Sequence, residues 1–232
     1  MNGGRGKKQL FVALCLSLAI LFTGLGIWQV QRLFWKLDLI ERVDARVHTA
    51  PTSLPANVGA LRPEDIEYRR VRVSGRFLND RRTLVDALTE LGPGYWVLTP
   101  LQTSQGLVLI NQGFVARDQH DKLSSPPRDV TITGLLRLSE PGGRFLRAND
   151  PAHDLWYSRD VAAIAQKRGL GRVEPVFIDA DATSKAGGYP IGGLTVVKFR
   201  NAHLIYALTW FGLAALCVAG LVLLLKPAQK RD

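Results

Sequence analysis

Cysteine is nearly absent from this 232-residue chain: there are two, Cys15 and Cys217, and both fall inside apolar runs. The polar middle of the chain has none. It can hold neither a disulfide nor a thiolate metal site, which excludes a cysteine-based copper carrier or a thioredoxin-like role for it. Nucleophile and phosphate signatures are missing too. There is no Gly-x-Ser-x-Gly, no His-Glu-x-x-His and no Gly-x-x-x-x-Gly-Lys. Long blocks of basic residues are also lacking; none exceeds a pair such as Arg69-Arg70 or Arg81-Arg82. The formal net charge is +10, but six basic residues against one acidic residue at the two termini account for +5 of it. Cationic tails beside membrane spans explain that share, and nucleic acid is not an expected partner.

Charge is most scarce in two stretches. From Leu204 to Leu225 there are 22 residues with no charge and no proline. At about 1.5 Å per residue such a helix crosses a hydrocarbon core of roughly 30 Å. Leu10 to Val30 is a second apolar run, broken only by Ser17, Thr23, glycines and Gln29. Its C-terminal end, Gly26-Ile27-Trp28-Gln29-Val30-Gln31-Arg32, has no small-x-small cleavage site, so an uncleaved anchor is expected rather than a signal peptide. The mean hydropathy of +0.04 averages these runs with a polar middle. The expected layout is a tail over 1–9, a transmembrane helix over 10–30, a domain over 31–203, a second transmembrane helix over 204–225 and a tail over 226–232.

Cations flank both sides of each run, so local charge counting hardly fixes orientation. Long domains cross membranes largely regardless of charge, and a two-span hairpin places both termini on one side. Both termini are therefore expected in the cytoplasm and the domain in the periplasm. The short N-terminal segment lacks an Arg- and Ser-rich amphipathic leader, which points to a bacterial inner membrane.

After the first run, Leu33, Leu37, Ile40, Val43 and Val47 recur in steps of three and four, predicting an amphipathic helical extension over 33–48. Pro51 and Pro55 end it, and residues 49–66 read as an irregular linker. The period then changes to two. Strands are expected at Tyr68–Phe77, Arg82–Ala87, Tyr95–Gln102, Leu107–Ala116, Val130–Leu138, Val173–Asp179 and Leu194–Arg200. Turns are expected at Gly92-Pro93-Gly94, Ser104-Gln105-Gly106 and Pro141-Gly142-Gly143. One helix is expected over Arg159–Lys167, with Ser158 as its N-cap and Gly169 beyond its end. The fold class is therefore an α+β membrane protein. Two transmembrane helices flank a mainly antiparallel, barrel-like β-domain that carries one packed helix.

His48, His120 and His153 are scattered through the domain and read as surface residues. The glycine-rich Gly188–Gly193 has no helix after it and reads as a strand connection. Two clusters at the ends of the apolar runs remain. Trp28, Arg32 and Trp35 are spaced by four and three; His203, Tyr206 and Trp210 are spaced by three and four. In a hairpin both clusters reach the outer edge of the bilayer. One reading is an interfacial aromatic belt with snorkelling cations. The other is a pocket between the helices, with one neutral imidazole for an iron, flat rings for a porphyrin, and Arg32 with Lys36 or Arg200 for its propionates.

The same residues carry a resemblance. Gly26-Ile-Trp28-Gln29-Val-Gln-Arg32-Leu-Phe-Trp35-Lys36 resembles the entry signature of the surfeit locus protein 1 family, Gly-x-Trp-Gln-x-x-Arg-x-x-Trp-Lys. Asn201-Ala-His203-Leu204-Ile-Tyr206-Ala207-Leu-Thr209-Trp210-Phe211 looks like its second signature. Tyr68–Phe77, Thr99-Pro100-Leu101 and Leu109–Val115 match between them in order and spacing. Gln112 and Phe114 stand where the family usually has Arg and Trp. The resemblance implies a non-catalytic assembly factor for cytochrome c oxidase, which carries haem a with His203 as iron ligand. The implied partners are oxidase subunit I, haem a synthase and other assembly factors. The alternative is a haem-free membrane scaffold that docks oxidase subunits or other assembly factors.

Overall fold

The computed structural model describes residues 3–123, 129–182, 188–194, 199 and 201–225. The chain divides into two compact units, one of residues 1–42 with 198–232 and one of Val43–Val197.

The first unit is built on two helices. Helix α1, Gly3–His48, runs without a break for 46 residues, about 69 Å at 1.5 Å per residue. The apolar run and the amphipathic extension are thus one helix, whose last residues belong to the second unit. Helix α4, rich in Leu, Ala and Val, covers His203–Leu225. Both are long and apolar enough to cross a membrane. Their outer surfaces display large apolar side chains such as Leu10, Ile20, Leu216 and Leu223. Apolar residues turned outward in this way suit lipid, where no hydrophobic effect drives them inward.

The second unit is a β-barrel. Its strands are β1 (Thr52–Ser53), β2 (Arg70–Phe77), β3 (Thr83–Thr89), β4 (Gly92–Thr103), β5 (Gly106–Ala116), β6 (Asp129–Leu138), β7 (Gly143–Arg144), β8 (Arg147–Ala148) and β9 (Val173–Ala180). The main sheet runs β1-β2-β6-β9-β5-β4-β3, and an antiparallel pairing of β2 with β4 closes five of these strands into a barrel. Pairing is antiparallel except for β1–β2 and β5–β9. The strand expected over Leu194–Arg200 lies, apart from Leu194 and Phe199, outside the described residues.

Two apolar layers hold the barrel together. On β5, Val108 and Ile110 join one core cluster while Leu109 joins the other; on β9, Val176 and Ile178 face one way and Phe177 the other. Strands covered on both faces are read as continuous apolar runs, as both of these are. The second layer is closed by helix α3, Val161–Arg168, through Val161, Ile164 and Ala165.

Several expectations change. The segment 49–66 is not a loose linker: Leu54, Val58 and Ile66 are buried in the first core cluster, and Pro63–Ile66 forms the one-turn helix α2. Proline spacing signals the breaks but not the burial of the apolar residues between them. Tyr68 precedes β2 rather than starting it, with φ +61°. The N-cap of α3 is Asp160, whose carboxylate accepts from the Ala163 amide. Ser158 instead donates to the Glu140 carbonyl. Gly92-Pro93-Gly94 lies inside β4, and the turn falls at Glu90-Leu91. The pairing of β4 with β5 begins only at Gly94, so Pro93 has a neighbouring strand on one side alone, as at a sheet edge.

Gly113 has φ +126°, and a Cβ on it would lie 2.1 Å from the Ile191 carbonyl oxygen. That strand segment hydrogen-bonds to Ile191 through Phe114 in both directions. Gly113→Ala combines a disallowed dihedral with a backbone clash and is expected to destabilise the protein by roughly 3 kcal/mol. Denaturant unfolding of the full chain in detergent measures it.

Candidate functional site

Apolar residues alone cannot fix a helix pair in lipid; close packing and polar contacts must. On α1 the buried residues Cys15, Ala19, Gly26 and Gln29 are spaced by four, seven and three. On α4, Ala207, Ala214 and Leu221 are buried at steps of seven. The partly buried Phe22 and Trp210 fall on the same stripes and stack, with ring centroids 5.6 Å apart. A Cβ on Gly26 would lie 2.5 Å from the Phe211 ring, so glycine sets the closeness of approach here. Residue numbers rise on α1 as they fall on α4, so the helices are antiparallel.

The last layer of this pair is polar. His203 Nδ1 lies 2.7 Å from Gln29 Oε1. A carbonyl oxygen can only accept, so Nδ1 donates this bond, and a neutral ring so placed has its lone pair on Nε2. Gln29 is 9% exposed and belongs to the helix interface. His203 opens α4, and its amide approaches Asn201 Oδ1 at 3.4 Å, the side-chain-to-backbone pattern that starts a helix. An imidazole oriented through one nitrogen, with the other available, is the arrangement by which proteins present a metal ligand.

The other residues expected at this edge are divided. Trp210 sits on the same interface stripe as His203, two turns further along α4. Tyr206 is exposed, as are Trp28 and Trp35. The Arg32 guanidinium lies 4.5 Å from the centre of the Trp35 ring, so these two pair with each other on an outer face of α1. Lys36 Nζ lies 4.8 Å from the Phe199 ring centre. Arg200 is outside the described residues. The sequence pattern of aromatic residues does not single out Gln29, one residue from Trp28, as the partner of His203. One step along a helix is a turn of about 100°, enough to move from an outer face to the interface. The signal that finds it is the alternation of four and three through 15, 19, 22, 26 and 29, matched by 203, 207, 210, 214, 217 and 221.

A second polar constellation lies in the barrel. Asp179 on β9 is 3% exposed. Its Oδ1 accepts from Asn111 Nδ2 at 2.8 Å and from Arg159 at 3.3 Å, and its Oδ2 accepts from Arg137 at 3.1 Å. Asn111 Oδ1 in turn accepts from the Gly113 amide. Arg159 also pairs with Glu140 and lies 4.7 Å from the Phe177 ring centre; Arg137 faces the Tyr68 ring at 4.8 Å. Burial alone would raise the Glu140 carboxyl, but the hydrogen bonds and charge of Arg159 outweigh it and hold it below the usual carboxylate range. This is the wiring of a structural ion-pair network, in which each carboxylate is answered by protein donors.

Residues 16–215 match the SURF1 family model. The chain belongs to the SURF1 family. It is 39% identical over 216 residues to Surfeit locus protein 1 of Rattus norvegicus, covering 83% of this chain and 68% of the relative. Against the Homo sapiens Surfeit locus protein 1 the identity is 38% over 225 residues, covering 86% and 72%. A SURF1-like protein of Monosiga brevicollis is 33% identical over 235 residues, covering 94% and 88%. The SURF1 match takes in both the helix pair and the barrel, so both constellations lie within the family's shared region.

Removing the carboxylate from Asp179 leaves two arginines buried with too few acceptors. Asp179→Ala is expected to cost about 3–5 kcal/mol in denaturant unfolding. Glu140 gives a pH test. Its folded pKa is depressed, so its stabilisation is present at neutral pH, above its unfolded pKa. That stabilisation is lost as pH falls through the folded value. Stability measured from neutral pH down to roughly pH 3 should decline less steeply in Glu140→Gln.

Proposed function

We propose that this SURF1-family chain is an assembly factor for cytochrome c oxidase, a haem–copper terminal oxidase. It holds haem a as cargo at the outer edge of the membrane and assists its insertion into subunit I; it is not a catalyst. His203 is the iron ligand. The observation that carries this reading is the His203 Nδ1 to Gln29 Oε1 hydrogen bond of 2.7 Å, which leaves Nε2 as the ligating nitrogen. Both residues stand at the ends of the apolar runs, where an apolar macrocycle with an anionic edge can keep its tail out of water. Trp210 on the interface stripe and the outward Trp28, Tyr206 and Trp35 supply flat rings, and Arg32 a cation for a propionate.

The proposed site of action is the bacterial inner membrane, with both termini cytoplasmic. The antiparallel course of α1 and α4 supports that topology. The proposed partners are subunit I and, upstream, haem a synthase or other assembly factors. One observation favours a haem-free scaffold instead: the imidazole already serves a structural purpose by tying α4 to α1.

The absorbance spectrum of the purified full chain, co-expressed with the enzymes of haem a synthesis, decides between the two. A haem band that His203→Ala abolishes supports the cargo reading, and a band unchanged in that variant overturns the ligand assignment. Gln29→Leu keeps the iron ligand but frees its ring. It is expected to weaken haem affinity by about tenfold or more. A scaffold predicts no band in any variant and normal oxidase activity in cells that carry only His203→Ala.

A further inference from the structure

The barrel carries a groove of about 610 Å³ between β3, β4, the turn Arg117–Lys122, and the segment after β8. Four arginines line it: Arg82, Arg117, Arg147 and Arg168. Among the described residues only two carboxylates do, Asp86 and Asp154. Both are already engaged. Asp86 accepts from Arg117 at 2.6 Å and lies 3.9 Å from Arg144; Asp154 accepts both the Arg168 guanidinium and the Trp156 indole at 2.7 Å. Arg147 makes no ion pair among the described residues. Its guanidinium rests 5.6 Å from the Tyr157 ring centre, and that of Arg117 rests 5.4 Å from Tyr95. Rings thus pre-orient two guanidinium forks at the groove, so less side-chain freedom is lost when an acceptor arrives.

An apolar feature adjoins the groove. Strands β7 and β8 form a hairpin whose two-residue tip is Phe145-Leu146. Phe145 is 92% exposed and Leu146 87% exposed. Leu146 adopts φ +63°, where such turns favour Asn or Gly. Two large apolar residues in a strained and exposed turn break the local sequence rule with no gain within the fold. The hairpin is fastened to the groove on one side by Arg144, which donates to the Asp86 carbonyl at 3.1 Å, and on the other by Arg147 itself.

We infer that this groove and the Phe145-Leu146 tip together form a docking site for a partner protein, which inserts an acidic segment with an adjoining apolar side chain. The composition is that of interface hot spots, arginine with tyrosine beside an apolar anchor. With Arg117 and Arg168 answered by Asp86 and Asp154, the Arg147 guanidinium, which makes no ion pair among the described residues, states the charge of the occupant. A concave groove of about 610 Å³ with aromatic rings in its wall suits a peptide side chain or two better than the flat plane of a lipid surface. The inference does not rest on haem binding.

The test places a benzophenone amino acid at Phe145 of the full chain in membranes, irradiates, and maps the adducts by mass spectrometry. The expected adduct is an acidic peptide of a second protein. Its yield should fall at least tenfold in Arg147→Glu and stay unchanged in Arg76→Glu, an exposed arginine of β2 outside the groove. Changing the cross-linked carboxylate to lysine should restore the adduct to the Arg147→Glu chain. Adducts to lipid alone, an equal loss in Arg147→Glu and Arg76→Glu, or no adduct at all would overturn the inference.

Discussion

A carboxylate in the middle of a sheet has to be answered on every lone pair, and the barrel is organised around answering Asp179. Its strand, β9, lies between β5 and β6, and each neighbour sends a partner: Asn111 from β5 and Arg137 from β6. Arg159, just before α3, brings a third contact and ties in Glu140. A charge this deep is costly when any partner is missing. The network therefore favours one register of three strands and one placement of the α3 segment over their alternatives. Asn111 also receives the Gly113 amide, so the same network fixes the irregular turn of β5 where Gly113 meets Ile191.

The helix pair obeys a different rule. Lipid is as apolar as leucine, so no core forms by excluding water. Small residues bring the backbones together, and a polar contact between Gln29 and His203 marks the end of the contact stripe. An imidazole that gives Nδ1 to an amide oxygen fastens the two helices, and in the function proposed above its Nε2 is the ligating nitrogen. These two roles are compatible because they use different ring nitrogens.

Much of this is legible in the sequence. Apolar length locates both helices, and short apolar or alternating runs between turn signals locate β2 to β6 and β9 to within a few residues, but not the two-residue strands β1, β7 and β8. The same alternation is silent on closure, because the β2–β4 pairing joins residues far apart in the chain. At the helix ends, spacing groups His203, Tyr206 and Trp210 on one face and Trp28, Arg32 and Trp35 on another; in the structure His203 and Trp210 lie on the contact stripe, Tyr206 is exposed, and the other three lie on an outward face. Aromatic residues attract notice in a sequence; the buried glutamine beside them does not. Segment 49–66 reads as a linker because prolines and short apolar steps carry no period, yet Leu54, Val58 and Ile66 fill the core.

The sequence by itself determined the two helices, the change to a β-domain between them, and the absence of thiol chemistry in that domain. These rest on local composition and periodicity, which act within a few turns or strands. Only the tertiary structure decided that Gln29 holds His203, that Asp179 gathers Asn111, Arg137 and Arg159, and that four arginines share one groove. Each of these joins residues from separate elements. Their energy comes from desolvated polar groups finding partners across the fold, which no local pattern encodes.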